Sequence, residues 1–292
     1  SSSVSEVPRR FHFIFGLRPQ TEPFHLAHYL CLESCRVVNA PAAIVFHCHH
    51  EPWGPYWDLI RPHLVVSPIE PEAFVVGNPR YDEHHEGRFI RRKGLDYAHQ
   101  SDFLRLKLLL AHGGVYADID TLFVQPMPEA FYRQPFVIGE EDPVAPHDTG
   151  RPEASLCNAL LMAEPGAWFA RVWLERMYEV FDGTWSRHSC TEAARLAPTM
   201  PGEVHVVPSR FFYRHMWTRA GLATLFERLD PDVTGVCSLH LWSHLWWSPR
   251  RNDFSRFHGG LITEEYVRAG RTTYAALARR FLPADRSAIV ST

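Results

Sequence analysis

Lysine is nearly missing from this chain of 292 residues: Lys93 and Lys107 are the only two lysines among 30 basic side chains. The formal net charge is −3, so no excess of positive charge predicts a nucleic-acid partner. No apolar run reaches the length of a membrane span, and no apolar segment near the N-terminus has the form of a signal peptide. The sequence therefore predicts neither a nucleic-acid-binding protein nor a transmembrane one.

Cysteine pairs at metal-binding spacing are also missing, because none of the six cysteines forms a C-x-x-C pattern. A chain of this length buries enough apolar surface to fold without disulfides, and free thiols are typical of a reducing compartment. No asparagine begins an N-x-[ST] sequon, which disfavours a secretory lumen. We therefore expect free thiols and a cytoplasmic protein. Because the chain starts at Ser1 and not at methionine, a trimmed leader or anchor remains an alternative.

Short β-rich runs and helical periods alternate in the N-terminal part of the chain. Apolar runs predict strands over 10–15, 42–48 and 64–67, and an apolar stripe predicts a helix over 22–38. Strand, helix and strand in that order are typical of a parallel α/β sheet. The later predicted elements are strands over 115–124, 136–139, 156–162 and 204–207 and helices over 102–112, 167–181 and 264–281.

Two segments lack such a pattern. Residues 68–92 are rich in proline, glycine and charge, and we expect an irregular connection or flap there. Residues 1–8 are expected to form a disordered tail. Because no repeat or low-complexity stretch divides the rest, the sequence predicts one domain over residues 1–292.

Asp118 and Asp120 are separated by one residue within the predicted strand 115–124. Side chains alternate along a strand, so the two carboxylates are expected on one face while the residue between them faces the core. Two ionised carboxylates side by side repel unless a cation neutralises them, and hard divalent cations prefer oxygen ligands. The pattern favours a metal site, with a solvated strand end as the alternative. A second D-x-D triplet at 230–232 contains Pro231 and predicts only a turn.

A predicted helix leads directly into this strand. Asp102 and Arg105 are three residues apart and therefore share a face of the helix 102–112, where they can act together. Gly113 and Gly114 end the helix immediately before the strand begins. An ordinary surface ion pair is the alternative, but Asp102 borders the apolar face, where an isolated charge is costly.

Together these residues form one ordered segment, which consists of Ser101-Asp102-Phe103-Leu104-Arg105, Leu109, Gly113-Gly114-Val115-Tyr116, Asp118-Ile119-Asp120 and Pro126. The segment resembles the signature of the glycosyltransferases with a DXD sugar-binding motif. That group includes yeast-type α-mannosyltransferases, lactosylceramide α-1,4-galactosyltransferases and, more distantly, the large clostridial toxin glucosyltransferases. The resemblance implies an α/β fold of GT-A type, in which helices flank a Rossmann-like, mostly parallel central sheet.

The resemblance implies a role for each matching polar residue. Asp120 is expected to bind a divalent cation, Mn²⁺ or Mg²⁺, while Asp118 contacts the ribose and donor sugar or reaches the metal. Asp102 and Arg105 are expected to hydrogen-bond hydroxyl groups of the donor sugar. Tyr116 is expected to support the pocket for the sugar and diphosphate. The three aspartates and the arginine form the predicted catalytic set.

Weaker similarity extends to two other strands. Phe15 stands where the family usually has a tryptophan, and we expect Phe13 and Phe15 to lie beside the donor nucleotide. Asn158 is expected to face the donor or the acceptor, with an ordinary strand-edge asparagine as the alternative. These three residues complete the predicted substrate site within the sheet.

The segment 239–247 resembles the closing His-and-Trp segment of the same family. His240 is expected to complete the metal shell, with His244 as the alternative register because His-Leu-Trp occurs twice. Trp242 and Trp246 are expected to cover the diphosphate.

The resemblance implies a retaining, metal-dependent transfer of a hexose from a nucleotide-sugar donor, with UDP as the favoured nucleotide, to a hydroxyl acceptor. The cation is expected to act as a Lewis acid on the departing diphosphate, so no protein nucleophile is nominated. One alternative is an inactive nucleotide-sugar-binding protein of the same fold. A nucleotidyltransferase is disfavoured, because residues 16–19 supply no glycine-rich phosphate loop after the first strand.

Overall fold

The computed structural model describes residues 6–70, 93–144, 153–180 and 189–284. The predicted flap lies outside these ranges from residue 71 to residue 92, and so do the first five residues of the predicted tail. Within that tail, Val7 is buried, and its backbone N–H donates to the carbonyl of Tyr132 over 2.7 Å. Ordered structure therefore begins inside the segment that was predicted to be disordered.

The strands and helices follow the predicted order with different limits. The described strands are β1 (Arg10–Ile14), β2 (Ala43–Cys48), β3 (Val65–Pro68), β4 (Gly114–Ala117), β5 (Thr121–Phe123), β6 (Phe136–Val144), β7 (Glu153–Ala163), β8 (His205–Val207) and β9 (Ser238–His240). The described helices are α1 (Leu26–Asn39), α2 (Pro55–Ile60), α3 (Lys93–His112), α4 (Glu129–Tyr132), α5 (Trp168–Val180), α6 (Cys190–Leu196), α7 (Arg219–Phe226), α8 (Glu264–Ala269) and α9 (Thr273–Ala278). Short 3₁₀ turns extend several of them.

The main sheet has seven strands in the order β3-β2-β1-β4-β7-β6-β8. Only β7 runs antiparallel to its neighbours, and the other neighbouring pairs of this sheet are parallel. The prediction of a mostly parallel central sheet flanked by helices is confirmed. Strands β5 and β9 form a separate antiparallel ribbon, in which Thr121 lies opposite His240.

Helices cover both faces of the main sheet. Side chains point alternately to the two sides of each strand, so one set packs against the helices of each face. Phe11 and Phe13 of β1 belong to a core cluster that includes the buried residues of α1. Ile14, on the same strand, belongs to a second cluster with buried residues of α3 and α5. The two clusters place the ends of β1 and β4 between α1 on one side and α3 on the other.

Side-chain caps fix where several helices begin. The hydroxyl or imidazole of each capping residue accepts a hydrogen bond from a backbone N–H of the first turn, which typically contributes about 1 kcal/mol. The capping residues are His25 for α1, Thr218 for α7, Thr263 for α8 and Thr272 for α9.

Two predicted helices have the wrong limits. Helix α3 begins at Lys93, not at residue 102, because its first turns are mostly polar and carry no apolar stripe. The predicted helix 264–281 is interrupted at Gly270, whose backbone N–H donates to Tyr266 O over 2.7 Å and ends α8. The Thr272 cap then starts α9, so the chain turns between two short helices.

The predicted strand 115–124 is also wrong at the two aspartates. Strand β4 ends at Ala117 and β5 begins at Thr121, so residues 118–120 form a turn between two sheets. Thr121 Oγ1 donates to Asp118 O over 2.7 Å and closes this turn. Strand alternation therefore does not place the two carboxylates on one side; the turn does.

The six cysteines are free thiols in the structure. Across the described residues, no helix combines the length and the apolar composition that a bilayer crossing requires.

A pair of buried histidines connects β1, β2 and the end of α3. His12 Nδ1 lies 3.0 Å from His47 Nε2, and His12 Nε2 lies 2.9 Å from the carbonyl oxygen of Gly113. Since that carbonyl accepts, His12 Nε2 carries the proton, and His47 donates to His12 Nδ1. Burial lowers the pKa of His12 to about 4 and that of His47 to about 3. Both rings are therefore neutral in the native state.

This pair predicts acid destabilisation with a defined sign. The unfolded chain binds protons at these histidines from about pH 6.5 downwards, whereas the native pKa values lie lower, so their stabilising effect is complete above pH 6.5. Between pH 7 and pH 5 the free energy of unfolding should fall by on the order of 2 kcal/mol per histidine. Urea unfolding at both pH values measures this fall, which His47→Gln should reduce and His63→Gln, at an exposed position, should not. An equal fall in all three proteins would contradict the assignment.

Candidate functional site

The site lies where β4 leaves the main sheet. Because β5 pairs with β9, the turn that carries Asp118 and Asp120 meets the C-terminal segment. The backbone N–H of Leu241 donates to Asp120 O over 2.9 Å and holds the two segments together. This pairing places His240 beside the aspartates, although they are more than a hundred residues apart in the sequence.

Asp118, Asp120 and His240 each present one ligand atom, and these atoms all lie within 4.8 Å of one another. Asp120 Oδ1 is 3.6 Å from His240 Nδ1, which is longer than a hydrogen bond. His240 Nδ1 is buried and has no hydrogen-bond partner among the described residues. A buried polar atom of this kind is costly unless a ligand satisfies it, and two carboxylates with one imidazole suit a divalent cation such as Mn²⁺.

Asp120 is oriented by Ser243. Its Oδ2 accepts hydrogen bonds from the backbone N–H and from the hydroxyl of Ser243, both over 2.8 Å, which leaves Oδ1 towards His240. Burial alone raises the pKa of this carboxyl, but the His240 charge and the Ser243 hydrogen bonds outweigh it and lower the pKa. Asp120 is therefore held as a carboxylate with one oxygen available to a cation.

Asp118 is held from the side of α3 and β4. Tyr116 Oη donates to Asp118 Oδ1 over 2.7 Å, and Arg105 Nη1 lies 3.2 Å from the same oxygen. Burial raises the pKa of Asp118 despite the opposing charge of Arg105. The side chain is 27% exposed, so the carboxylate is still accessible to a ligand. A cation beside it would offset the cost of its negative charge.

Arg105 lies between Asp102 and Asp118 and pairs with both. It is buried, with 6% of its side chain exposed. Its Nη1 donates to the carbonyl of Asn158 over 2.7 Å, and its Nη2 donates to Ser101 Oγ over 3.2 Å. Nη2 also lies 3.4 Å from Asp102 Oδ1. Burial lowers the pKa of the guanidinium, but nearby Tyr116, Asp118 and Asp102 outweigh it and raise that pKa. The charge of Arg105 is therefore permanent.

Asn158 contacts both charged residues of α3. Its side-chain Nδ2 donates to Asp102 Oδ1 over 3.0 Å, while its backbone carbonyl accepts from Arg105. The structure thus brings Asp102, Arg105, Asp118 and Asn158 into one hydrogen-bonded network on the α3 side of the site.

Two predicted substrate residues lie in the core and need correction. Phe13 has no exposed surface and packs against Phe123, because alternation along β1 turns it towards α1. Trp246 also has no exposed surface, and its indole N–H donates to Leu241 O over 2.6 Å. Neither ring is accessible to a bound substrate in this structure.

Two other predicted residues lie nearer the site. Phe15 is partly buried, and its ring centroid is 5.0 Å from that of His28. Trp242 has a left-handed backbone with φ of 54°, and its ring lies 4.3 Å from that of His240, edge to face. The indole N–H of Trp242 donates to His215 O over 2.9 Å. Trp242 therefore supports the His240 ring.

Of the two candidate histidines, His240 and His244, the structure places His240 beside the two carboxylates. His244 lies in the following 3₁₀ turn, is exposed at the surface, and accepts a hydrogen bond from Arg251 through its backbone carbonyl over 3.1 Å.

The sequence reasoning missed His28, Trp247 and Ser243. His28 stacks on Trp247 with ring centroids 5.0 Å apart and planes 17° from parallel. Its Nδ1 is buried and without a partner among the described residues, and burial lowers its pKa to about 3 against the opposing charge of Asp120. Ser243 lies within the predicted His-and-Trp segment, so the sequence pattern could have identified it. No pattern in the sequence around His28 indicates a functional role.

Residues 68–144 match the family model described as "Glycosyltransferase sugar-binding region containing DXD motif". Glucan organizing enzyme 1 of Cryptococcus neoformans var. grubii serotype A is 33% identical over 250 residues, which cover 82% of this chain and 63% of that protein. The chain thus spans less than two thirds of the length of this relative.

Two solved structures show a distant likeness. PaToxG Glycosyltransferase is 16% identical with a TM-score of 0.44, over 68% of this chain and 72% of the other. The apo-form glycosyltransferase GlyE of Streptococcus pneumoniae TIGR4 is 11% identical with a TM-score of 0.44, over 89% of this chain and 63% of the other.

The buried network predicts a large stability loss in Arg105→Met. This change leaves Asp102 and Asp118 without their shared counter-charge, so the free energy of unfolding should fall by about 3 to 5 kcal/mol. The matched control is Arg61→Met, which removes an exposed ion pair with Glu51 and should cost less than about 1 kcal/mol. Urea unfolding followed by tryptophan fluorescence measures both, and similar losses in the two variants would rule out the buried network.

Proposed function

We propose that this chain, whose residues 68–144 match a glycosyltransferase sugar-binding region that contains the DXD motif, transfers a hexose from a nucleotide-sugar donor, with UDP as the nucleotide, to a hydroxyl acceptor. One observation carries the proposal. Asp118, Asp120 and His240 converge within 4.8 Å, and Asp118 is also paired with Arg105, so a cation site and a sugar site share one residue.

The proposed cofactor is Mn²⁺ or Mg²⁺. Asp120 Oδ1, a carboxylate oxygen of Asp118 and the unpartnered His240 Nδ1 are the atoms that would hold it. When bound, the ion supplies Lewis acidity that neutralises charge on the departing diphosphate. Ser243 fixes the other oxygen of Asp120, so the coordinating oxygen is oriented before the ion arrives.

The donor sugar is proposed to lie between Asp102 and Asp118. Both carboxylates are partly exposed, by 13% and 27% of their side chains, and carboxylates accept hydrogen bonds from sugar hydroxyls. The guanidinium of Arg105 is already bonded to Asn158 and Ser101. We infer that Arg105 acts mainly by positioning the two aspartates, with its fixed positive charge assisting departure of the diphosphate.

The proposed reaction retains the anomeric configuration. The bond from the anomeric carbon to the diphosphate breaks, and the acceptor oxygen bonds to the same face of that carbon through an oxocarbenium-like state while its proton passes to the departing diphosphate oxygen. This path needs no protein nucleophile, and the residues of the site serve to bind, orient and neutralise charge. An NMR time course of the product anomer tests this point, and an inverted product would contradict it.

The alternative is an inactive nucleotide-sugar-binding protein of the same fold. The cost of burying Asp102, Asp118 and Arg105 together favours catalysis over simple binding, because binding alone can be achieved with neutral polar groups. A cytoplasmic location is likewise a prediction, and the acceptor is predicted only as a molecule that offers a hydroxyl group.

Hydrolysis of the donor separates these functions. With a panel of nucleotide sugars and Mn²⁺, we expect one donor to be hydrolysed, and Asp120→Asn to lower that rate by about a hundredfold or more, since one metal ligand is lost. The control is Asp232→Asn in the second D-x-D triplet, which lies in a turn and pairs with Arg210. The proposal fails if Asp120→Asn and Asp232→Asn hydrolyse the donor equally fast. A donor that raises the melting temperature without being hydrolysed would instead indicate the inactive binder.

A further inference from the structure

A surface groove of about 570 Å³ lies between helix α7 and the loop 252–256. One wall carries Arg219, Arg228 and Glu227, and the other carries Asn252, Phe254 and Arg256. Its volume falls within the range of about 300 to 1,000 Å³ that is usual for small-molecule sites. None of the residues in this groove belongs to the network around the aspartates.

The groove concentrates positive charge. In the described chain, Arg219, Arg228 and Arg256 make no ion pair with an acidic side chain, and Glu227 is the acidic residue in the lining. Arg219 occupies the first position of α7, where the helix dipole disfavours a cation, so helix stability does not explain its presence. Guanidinium groups that are not engaged by the protein suit carboxylate or phosphate groups, which they bind in pairs of hydrogen bonds.

The other lining groups suit a sugar. Phe254 offers an aromatic ring that can stack on the apolar face of a pyranose, as aromatic side chains do at amphipathic ligands. Asn252 and Glu227 offer an amide and a carboxylate to hydroxyl groups. An inorganic anion would use only the arginines, whereas a saccharide that bears an acidic group would use the whole lining.

The groove is connected to the candidate active site through the chain. Arg251 Nη1 donates to the carbonyl of His244 over 3.1 Å, and its Cζ lies 5.7 Å from the ring centroid of Phe254. His244 follows Ser243, which orients Asp120. The loop that forms one wall of the groove is therefore tied to the turn that shapes the metal site.

We propose that this groove binds an anionic saccharide, one that carries a carboxylate or a phosphate, and that this saccharide is part of the acceptor. The inference rests on the proposed glycosyltransferase function for the acceptor role, but binding itself does not depend on turnover. It gives the acceptor a chemical class, because a carboxylate or phosphate complements the three exposed guanidinium groups of the lining.

Binding is tested with the full chain and four probes at low ionic strength. The probes are trigalacturonate, glucose 6-phosphate, the neutral sugar maltotriose, and inorganic phosphate. By calorimetric titration we expect trigalacturonate or glucose 6-phosphate to bind at least about tenfold more tightly than maltotriose and inorganic phosphate. Whichever of the two binds identifies carboxylate or phosphate as the acidic group.

The variant Arg219→Gln/Arg256→Gln should weaken that binding by about tenfold or more, since two charge-assisted contacts are lost. The control Arg133→Gln/Arg171→Gln removes two exposed arginines outside the groove and should leave the Kd unchanged. The proposal is overturned if neither acidic saccharide binds, if maltotriose or inorganic phosphate binds as tightly, or if both double variants have the same effect.

Donor hydrolysis in Mn²⁺ keeps the two proposals apart. Hydrolysis without saccharide binding would overturn the groove alone. If the saccharide binds but the protein hydrolyses none of the nucleotide-sugar donors, both the acceptor role and the proposed function would be overturned.

Discussion

Asp118 and Asp120 place two carboxylates beside each other where water is largely excluded, and their mutual repulsion determines how the surrounding structure is built. Arg105 neutralises Asp118 from α3, while Ser243 and His240 stabilise Asp120 from the C-terminal segment. Each carboxylate thus has its own support, and beside them lies a buried nitrogen of His240 that has no hydrogen-bond partner in the part of the chain that the structure describes. Two carboxylates and one imidazole at this spacing form a group that could hold a divalent cation.

The topology that creates this condition is a change of sheet. Strand β4 stays in the main sheet beside β7, while β5 joins β9 in a separate ribbon. The chain can make this change only through a turn, and the two aspartates occupy that turn. Since β9 ends at His240, the same ribbon brings the third candidate ligand into place. The geometry of the proposed site is therefore a consequence of strand pairing over a long sequence separation, not of the local D-x-D spacing alone.

Local sequence patterns were sufficient to predict part of the fold and of the candidate site. The helix-to-strand segment with Asp102 and Arg105, and the mostly parallel sheet, could be predicted because periodicity and the ordered motif are local signals. The turn at residues 118–120 could not, because alternation does not reveal where a strand changes partners. The segment 242–247 contains three tryptophans, and only tertiary packing decides that Trp246 is core while Trp247 stacks on His28. Phe13 was misassigned for the same reason: its face of β1 is set by α1.

The central claim is that a divalent cation binds between Asp118, Asp120 and His240. Anomalous diffraction at the manganese edge, from crystals grown with Mn²⁺ and a nucleoside diphosphate, tests it most directly. The account predicts a strong anomalous peak within coordination distance of Asp120 Oδ1 and His240 Nδ1, with the diphosphate on its open side. A strongest peak elsewhere in the molecule, or one that leaves the His240 ring beyond coordination distance, would contradict it.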